Sequence, residues 1–338
     1  MSSAAGAVPQ APTAGSAGRR PPTRLSWVRV FVVGLAMWLA TVVVAFATAN
    51  SNLIPTIILL GSFLTPVTFV IYAFGRADDV ITTQRIFSAF VYGGLLGVLG
   101  ASVLESAFLR PQSGLLYVGV GLIEEGVKLA ALWLLGRRLL RYTMRDGMVL
   151  GAAVGFGFAA LESAGYAFNA LFTRTGLSLP DLLETEVLRS ILAPVGHGLW
   201  TAILGGVLFA GAARRGRLRL TGAVLGWYVV VALLHALWDA SWPIAVWLTL
   251  QLTATPVQWE LLEFGRLPAW SHAQVHLLTA LSWALLSFDA LVGVLVLHRR
   301  WHQAAHPRKL VPIRDGARQV LPLTSTEIPA QSAPEEQR

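Results

Sequence analysis

The chain has 338 residues, of which 55% are hydrophobic and only 13% charged, and its mean hydropathy of +0.61 lies far above that of a soluble globular domain. Cysteine is absent, which excludes a disulfide framework, a thiolate zinc site and a cysteine nucleophile. The net charge is +8, but the arginines stand in short clusters between apolar runs, so they read as topology signals and not as a nucleic-acid surface.

Residues 1–26, rich in Ala, Gly, Pro and Ser and closing on Arg19, Arg20 and Arg24, read as a disordered cytoplasmic tail. Apolar runs follow at 27–48, 53–74, 86–104, 115–136, 147–170, 187–213, 220–242 and 274–298. Each has about the 20 residues that a helix needs to cross a hydrocarbon core, and none shows the alternation of a membrane strand. Basic residues gather at every second junction: Arg76 and Arg85, then Arg137, Arg138, Arg141 and Arg145, then Arg214, Arg215, Arg217 and Arg219, then Arg299 and Arg300. With the basic amino-terminal tail, this pattern predicts an even number of spans and both termini in the cytoplasm. Between the last two spans, the aromatic and acidic residues from Trp259 to Trp270 predict a short interfacial helix. The expected fold is therefore an all-α, polytopic integral membrane protein of about eight transmembrane helices. Its helical domain covers 27–300, and a second disordered cytoplasmic tail covers 301–338.

A charge at mid-bilayer costs at least a few kcal/mol, so each one needs a partner, a cavity or a role. The fourth span holds Glu124, Glu125 and Lys128; the fifth Glu162; the sixth His197; the seventh His235 and Asp239; the eighth Asp289. Lys128 and Lys309 are the only lysines in the chain, so Lys128 is the one lysine of the apolar portion. Helical spacing puts Glu124 and Lys128 on one face, with Glu125 close by, and one ammonium neutralises only one of the two carboxylates. His235 and Asp239 are likewise one turn apart, which suits a carboxylate that orients an imidazole. At about 1.5 Å of rise per residue, Glu124, Glu162, His197 and His235 lie roughly 9–15 Å below the outer ends of their helices, on four spans of alternating direction. Asp289, at roughly 22 Å by the same rise, belongs to another layer.

Carboxylates and imidazoles at one level, without a cysteine or a serine nucleophile motif, point to hydrolysis by an activated water, with one glutamate as general base. The histidines would either polarise the scissile carbonyl or bind a metal: His197, His235 and a carboxylate such as Glu162 would make a three-ligand zinc site with an open position for water, although no HExxH motif secures the ion. The series EEGVK (124–128), FAALE (158–162), His197 and HALWD (235–239), in that order on successive helices, resembles the PrsW family of intramembrane proteases, relatives of the CAAX prenyl endopeptidases. The resemblance covers residues 115–242. It implies a multi-pass protease of the bacterial cytoplasmic membrane that acts on single-span membrane substrates, such as an anti-sigma factor at its first cleavage site. By position it implies Glu124 and Glu125 as the catalytic pair, Lys128 as their partner, and Glu162, His197, His235 and Asp239 as the rest of the site. Two other classes compete. A proton- or ion-coupled transporter would spread its polar groups along a path, and a non-catalytic scaffold of the same fold would have no need of both glutamates.

Overall fold

The computed structural model describes residues 26–77, 80–110 and 115–305. The expected tails at 1–26 and 301–338 lie outside these residues, except that Ser26 and 301–305 are helical. Eleven α-helices and one two-stranded hairpin make up the described chain. They are α1 (Ser26–Thr48), α2 (Ile54–Phe74), α3 (Thr83–Phe108), α4 (Leu116–Gly136) and α5 (Met144–Ala170), then β1 (Phe172–Thr173) and β2 (Gly176–Leu177). After the hairpin come α6 (Leu179–Leu192), α7 (His197–Ala213), α8 (Gly222–Asp239), α9 (Ser241–Thr253), α10 (Pro256–Glu263) and α11 (His272–Ala305).

Among the described residues, seven helical stretches are long and apolar enough to cross a membrane. They coincide with the expected spans apart from α4, which has a span's 21 residues but carries Glu124, Glu125 and Lys128 at its centre. The protein is thus an all-α, multi-pass membrane protein.

Helix starts follow local chemistry. The side chains of Thr82, Thr143, Ser178 and Thr221 accept hydrogen bonds from the backbone N–H three residues on, capping α3, α5, α6 and α8. Thr255 and Gln258 close a reciprocal capping box on α10, a short helix that begins before the stretch Trp259 to Trp270 and ends at Glu263.

Two expected spans are not single rods. The run 187–213 breaks at Ala193–Val195, one turn of 3-10 helix that contains Pro194, and α7 restarts at His197 after Gly196. The run 220–242 stops at Asp239, and α9 leaves in a new helix with Pro243 in its first turn. In both places proline removes a backbone donor and ends the hydrogen-bond ladder.

The core is built on α5, whose apolar stretch is 83% buried. Gly147, Gly151 and Gly155, each a turn apart, lie against the backbone of Gly205, Thr201 and His197 of α7, where a methyl group would collide. On its other side Gly157 meets the Phe90 carbonyl of α3 in the same way. Such contacts let helices approach to backbone distance and gain dispersion where lipid offers no hydrophobic drive. By contrast, α1 is a peripheral helix, only 6% buried, and one polar bond ties it across to α6, from Trp38 Nε1 to Glu186 Oε2 at 3.0 Å.

Candidate active site

Close packing brings the ionisable residues together. Gly121 of α4 lies against the Ala232 carbonyl of α8, three residues before Glu124 on one helix and three before His235 on the other. Gly155 of α5 lies against the carbonyl of His197 itself. The break at Pro194 makes His197 the first residue of α7 and turns its ring back towards α4 and α5.

Lys128 is fully buried and uses all three of its N–H donors. It donates to Glu124 Oε2 at 3.1 Å and Glu125 Oε1 at 2.8 Å, and its Nζ lies 2.8 Å from His197 Nδ1. The ammonium also sits 3.9 Å over the Phe158 ring, a cation–π contact. An ammonium cannot accept, so Nδ1 of His197 is the acceptor and Nε2 carries the proton. Nε2 then donates to Glu162 Oε2 at 3.0 Å.

His235, 1% exposed, is held in a matching manner. Its Nδ1 lies 3.0 Å from Glu125 Oε1 and its Nε2 lies 3.6 Å from Glu124 Oε2 and 3.4 Å from Asp239 Oδ2. With Nδ1–H donating to Glu125, the Nε2 lone pair faces two carboxylate oxygens. Three electron-rich atoms at this spacing repel one another unless a proton or a cation stands among them.

The two glutamates differ. Glu125 is wholly buried, and its Oε2 has no hydrogen-bond partner among the described residues. The Glu124 side chain is 8% exposed and makes its polar contacts through Oε2. Glu124 therefore keeps a small exposure that Glu125 lacks, and Glu125 supports Lys128 and His235 from within the protein.

All seven residues expected from the sequence, Glu124, Glu125, Lys128, Glu162, His197, His235 and Asp239, thus fall in one connected network. The expected metal triad is arranged differently. The donors that lie within 4.8 Å of one another belong to Glu124, His197 and His235, while Glu162 is turned to Arg189 and to Nε2 of His197. Two imidazoles and a carboxylate are a fitting donor set for a zinc-like divalent ion, and the electron-rich gap at His235 Nε2 is where such a charge would be welcome. Each imidazole also donates its other nitrogen to a carboxylate, Glu162 or Glu125, as ligating histidines do. His197 Nδ1 is engaged by Lys128, so ligation through that atom requires the ammonium to withdraw.

Two residues that hold the site were not foreseen. Arg189 of α6 donates from Nη2 to Glu162 Oε2 at 2.5 Å and from Nε to Ser163 Oγ at 2.8 Å, and lies 4.2 Å over the Tyr166 ring. Little in the sequence signals it, since Arg189 is the third residue of the expected span 187–213, where an arginine can reach the membrane edge at small cost. Trp200, fully buried, stacks on His235 at 4.8 Å and meets His197 edge-on at 5.4 Å, fixing the two rings 4.9 Å apart. Nothing in its apolar surroundings distinguishes it from a packing residue.

No curated protein and no solved structure matches the chain. The profile of the PrsW family intramembrane metalloproteases matches residues 82–261, just over half of the sequence, from the cap of α3 to α10. That stretch contains every side chain of the network, and the chain belongs to the PrsW family of intramembrane metalloproteases.

Proposed function

We propose that this membrane protease hydrolyses a peptide bond of a single-span, membrane-anchored substrate within the outer half of the bilayer, using a water activated by Glu124. The observation that carries this reading is the asymmetry of the glutamate pair: the Glu124 side chain keeps a small exposure, whereas Glu125 is wholly buried. Oε1 of Glu124 takes a proton as the water oxygen bonds to the scissile carbonyl carbon, and returns it to the amide nitrogen as the C–N bond breaks. Lys128 holds the pair so that the base stays level with the histidines. Glu125 and Asp239 orient His235, and Glu162, fixed by Arg189, orients His197. With the Lys128 ammonium withdrawn from His197 Nδ1, Glu124 Oε2, His197 and His235 would hold a zinc ion, which when bound supplies a Lewis acid for the carbonyl oxygen and a more acidic water.

The arginine-rich junctions support cytoplasmic termini, and the family resemblance supports a place in the bacterial cytoplasmic membrane. First-site cleavage of an anti-sigma factor is the regulatory role that the family resemblance supports. The test is co-expression with candidate single-span substrates, comparing the wild type with Glu124→Ala, Glu125→Ala and His235→Ala. Each variant should lose cleavage, with Glu124→Gln slower by about 10²- to 10⁴-fold although folded. Undiminished cleavage in all three alanine variants refutes the site, and ion-driven uptake by reconstituted protein without peptidase activity favours a transporter.

A further inference from the structure

At the end of the bundle remote from His197, three arginines converge on one cavity of about 590 Å³. Arg214 and Arg215 come from the C-terminal end of α7 and Arg300 from α11, while Thr221, the cap of α8, forms the facing wall. No acidic residue lines the cavity, and among the described residues none of the three arginines has a carboxylate within ion-pair distance. Arg300 is half-buried, lying 4.5 Å over the Trp227 ring of α8. Arg137 and Arg138, at the end of α4, do not line this cavity.

The positive-inside rule accounts for arginines at this end of the helices. It gives no reason for three of them to line one cavity with no carboxylate among its walls, where their like charges repel one another. An anion in the recess removes that repulsion, and the first N–H groups of α8 add a favourable dipole end. Guanidinium forks match the oxygens of a phosphate.

We propose that this cavity binds a phosphate group, either the headgroup of an anionic phospholipid or a small soluble phosphate. A phosphate there clasps the ends of α7, α8 and α11. Since α7 and α8 carry His197 and His235 at their other ends, occupancy would stabilise the pair of helices that frame the site.

The test uses the full chain in nanodiscs of phosphatidylglycerol or of phosphatidylcholine, reading the lipid retained by native mass spectrometry and the thermal midpoint. The variants are Arg214→Gln/Arg215→Gln and Arg300→Gln, with Arg137→Gln/Arg138→Gln as a control of equal charge. Arg214 and Arg215 are exposed, so their replacement removes little packing. The wild type should retain phosphatidylglycerol over phosphatidylcholine by about tenfold or more, from roughly one favourable increment per arginine. That preference should fall as salt rises, shrink in both cavity variants and persist in the control. If inorganic phosphate raises the midpoint in phosphatidylcholine discs and phosphatidylglycerol adds nothing further, the source is a soluble phosphate. Equal retention and equal midpoints in wild type, cavity variants and control, with either ligand, overturn the proposal.

Discussion

Replacing Lys128 with methionine isolates the charge at the centre of the network while keeping a side chain of similar length over Phe158. The ammonium lies 2.8 Å from one carboxylate and 3.1 Å from another, and with an effective dielectric of about 20 each contact is worth about 5 kcal/mol before desolvation. Burial of three ions consumes most of that gain, and the quantity that matters is what removal leaves behind: two carboxylates and His197 Nδ1 without a cation. Breaking a buried pair from one side costs about 3–5 kcal/mol, which lowers the ratio of folded to unfolded protein by roughly two to four orders of magnitude. Lys128→Met should therefore unfold at a markedly lower temperature in detergent, and cleavage should be lost. The double variant Lys128→Met/Glu125→Gln removes the stranded charge as well and should regain part of the lost stability without regaining activity. A single variant as stable as the wild type, or a double variant no better than the single, would refute the view that Lys128 neutralises a buried carboxylate.

Three further outcomes follow from the geometry. Arg189→Met should leave stability within about 1 kcal/mol, since the pair with Glu162 is partly exposed, yet reduce the cleavage rate by about 10- to 100-fold through loss of orientation of His197. Arg189→Lys should recover part of that rate. Metal analysis of purified protein should find about one zinc-like ion per chain, absent from Glu124→Ala and His235→Ala but retained by Glu162→Gln, because Glu124 stands with the two imidazoles. Loss of metal in Glu162→Gln and not in Glu124→Ala would assign the carboxylate to the other glutamate. Gly157→Ala should cost about 1–3 kcal/mol, because the added methyl meets the Phe90 carbonyl. Gly165→Ala, on the same helix with open space around it, should be neutral or slightly stabilising in a thermal melt.

Burial and charge were legible in the sequence because lipid makes every ionisable group conspicuous. Glu124, Glu125, Lys128, His235 and Asp239 announce themselves by helical spacing alone, and depth by rise brings Glu162 and His197 to their level. What rise cannot give is azimuth. Glu162 and Glu124 share a depth, and only the rotation of α4 and α5 about their axes decides which carboxylate faces both imidazoles and which faces Arg189. The break before His197 was written in Pro194 and Gly196, but hydropathy runs through it without a dip. Arg189 stands at the third position of the expected span 187–213, where an arginine is indistinguishable from a marker of the membrane edge, and only the fold turns it onto Glu162.

The glycine contacts of α5 also bear on motion. With Gly147, Gly151 and Gly155 seated on successive backbone groups of α7, and Gly157 on α3, α5 cannot slide or roll without lifting several turns out of register at once. It behaves as the stator of the enzyme. Displacement of α6, which brings Arg189 onto Glu162 from outside that clasp, would at once uncover Glu162 and release the orientation of His197, so that, if the proposed substrate entered there, the same movement would govern both. Entry of the substrate and readiness of the catalytic groups would then be one event rather than two.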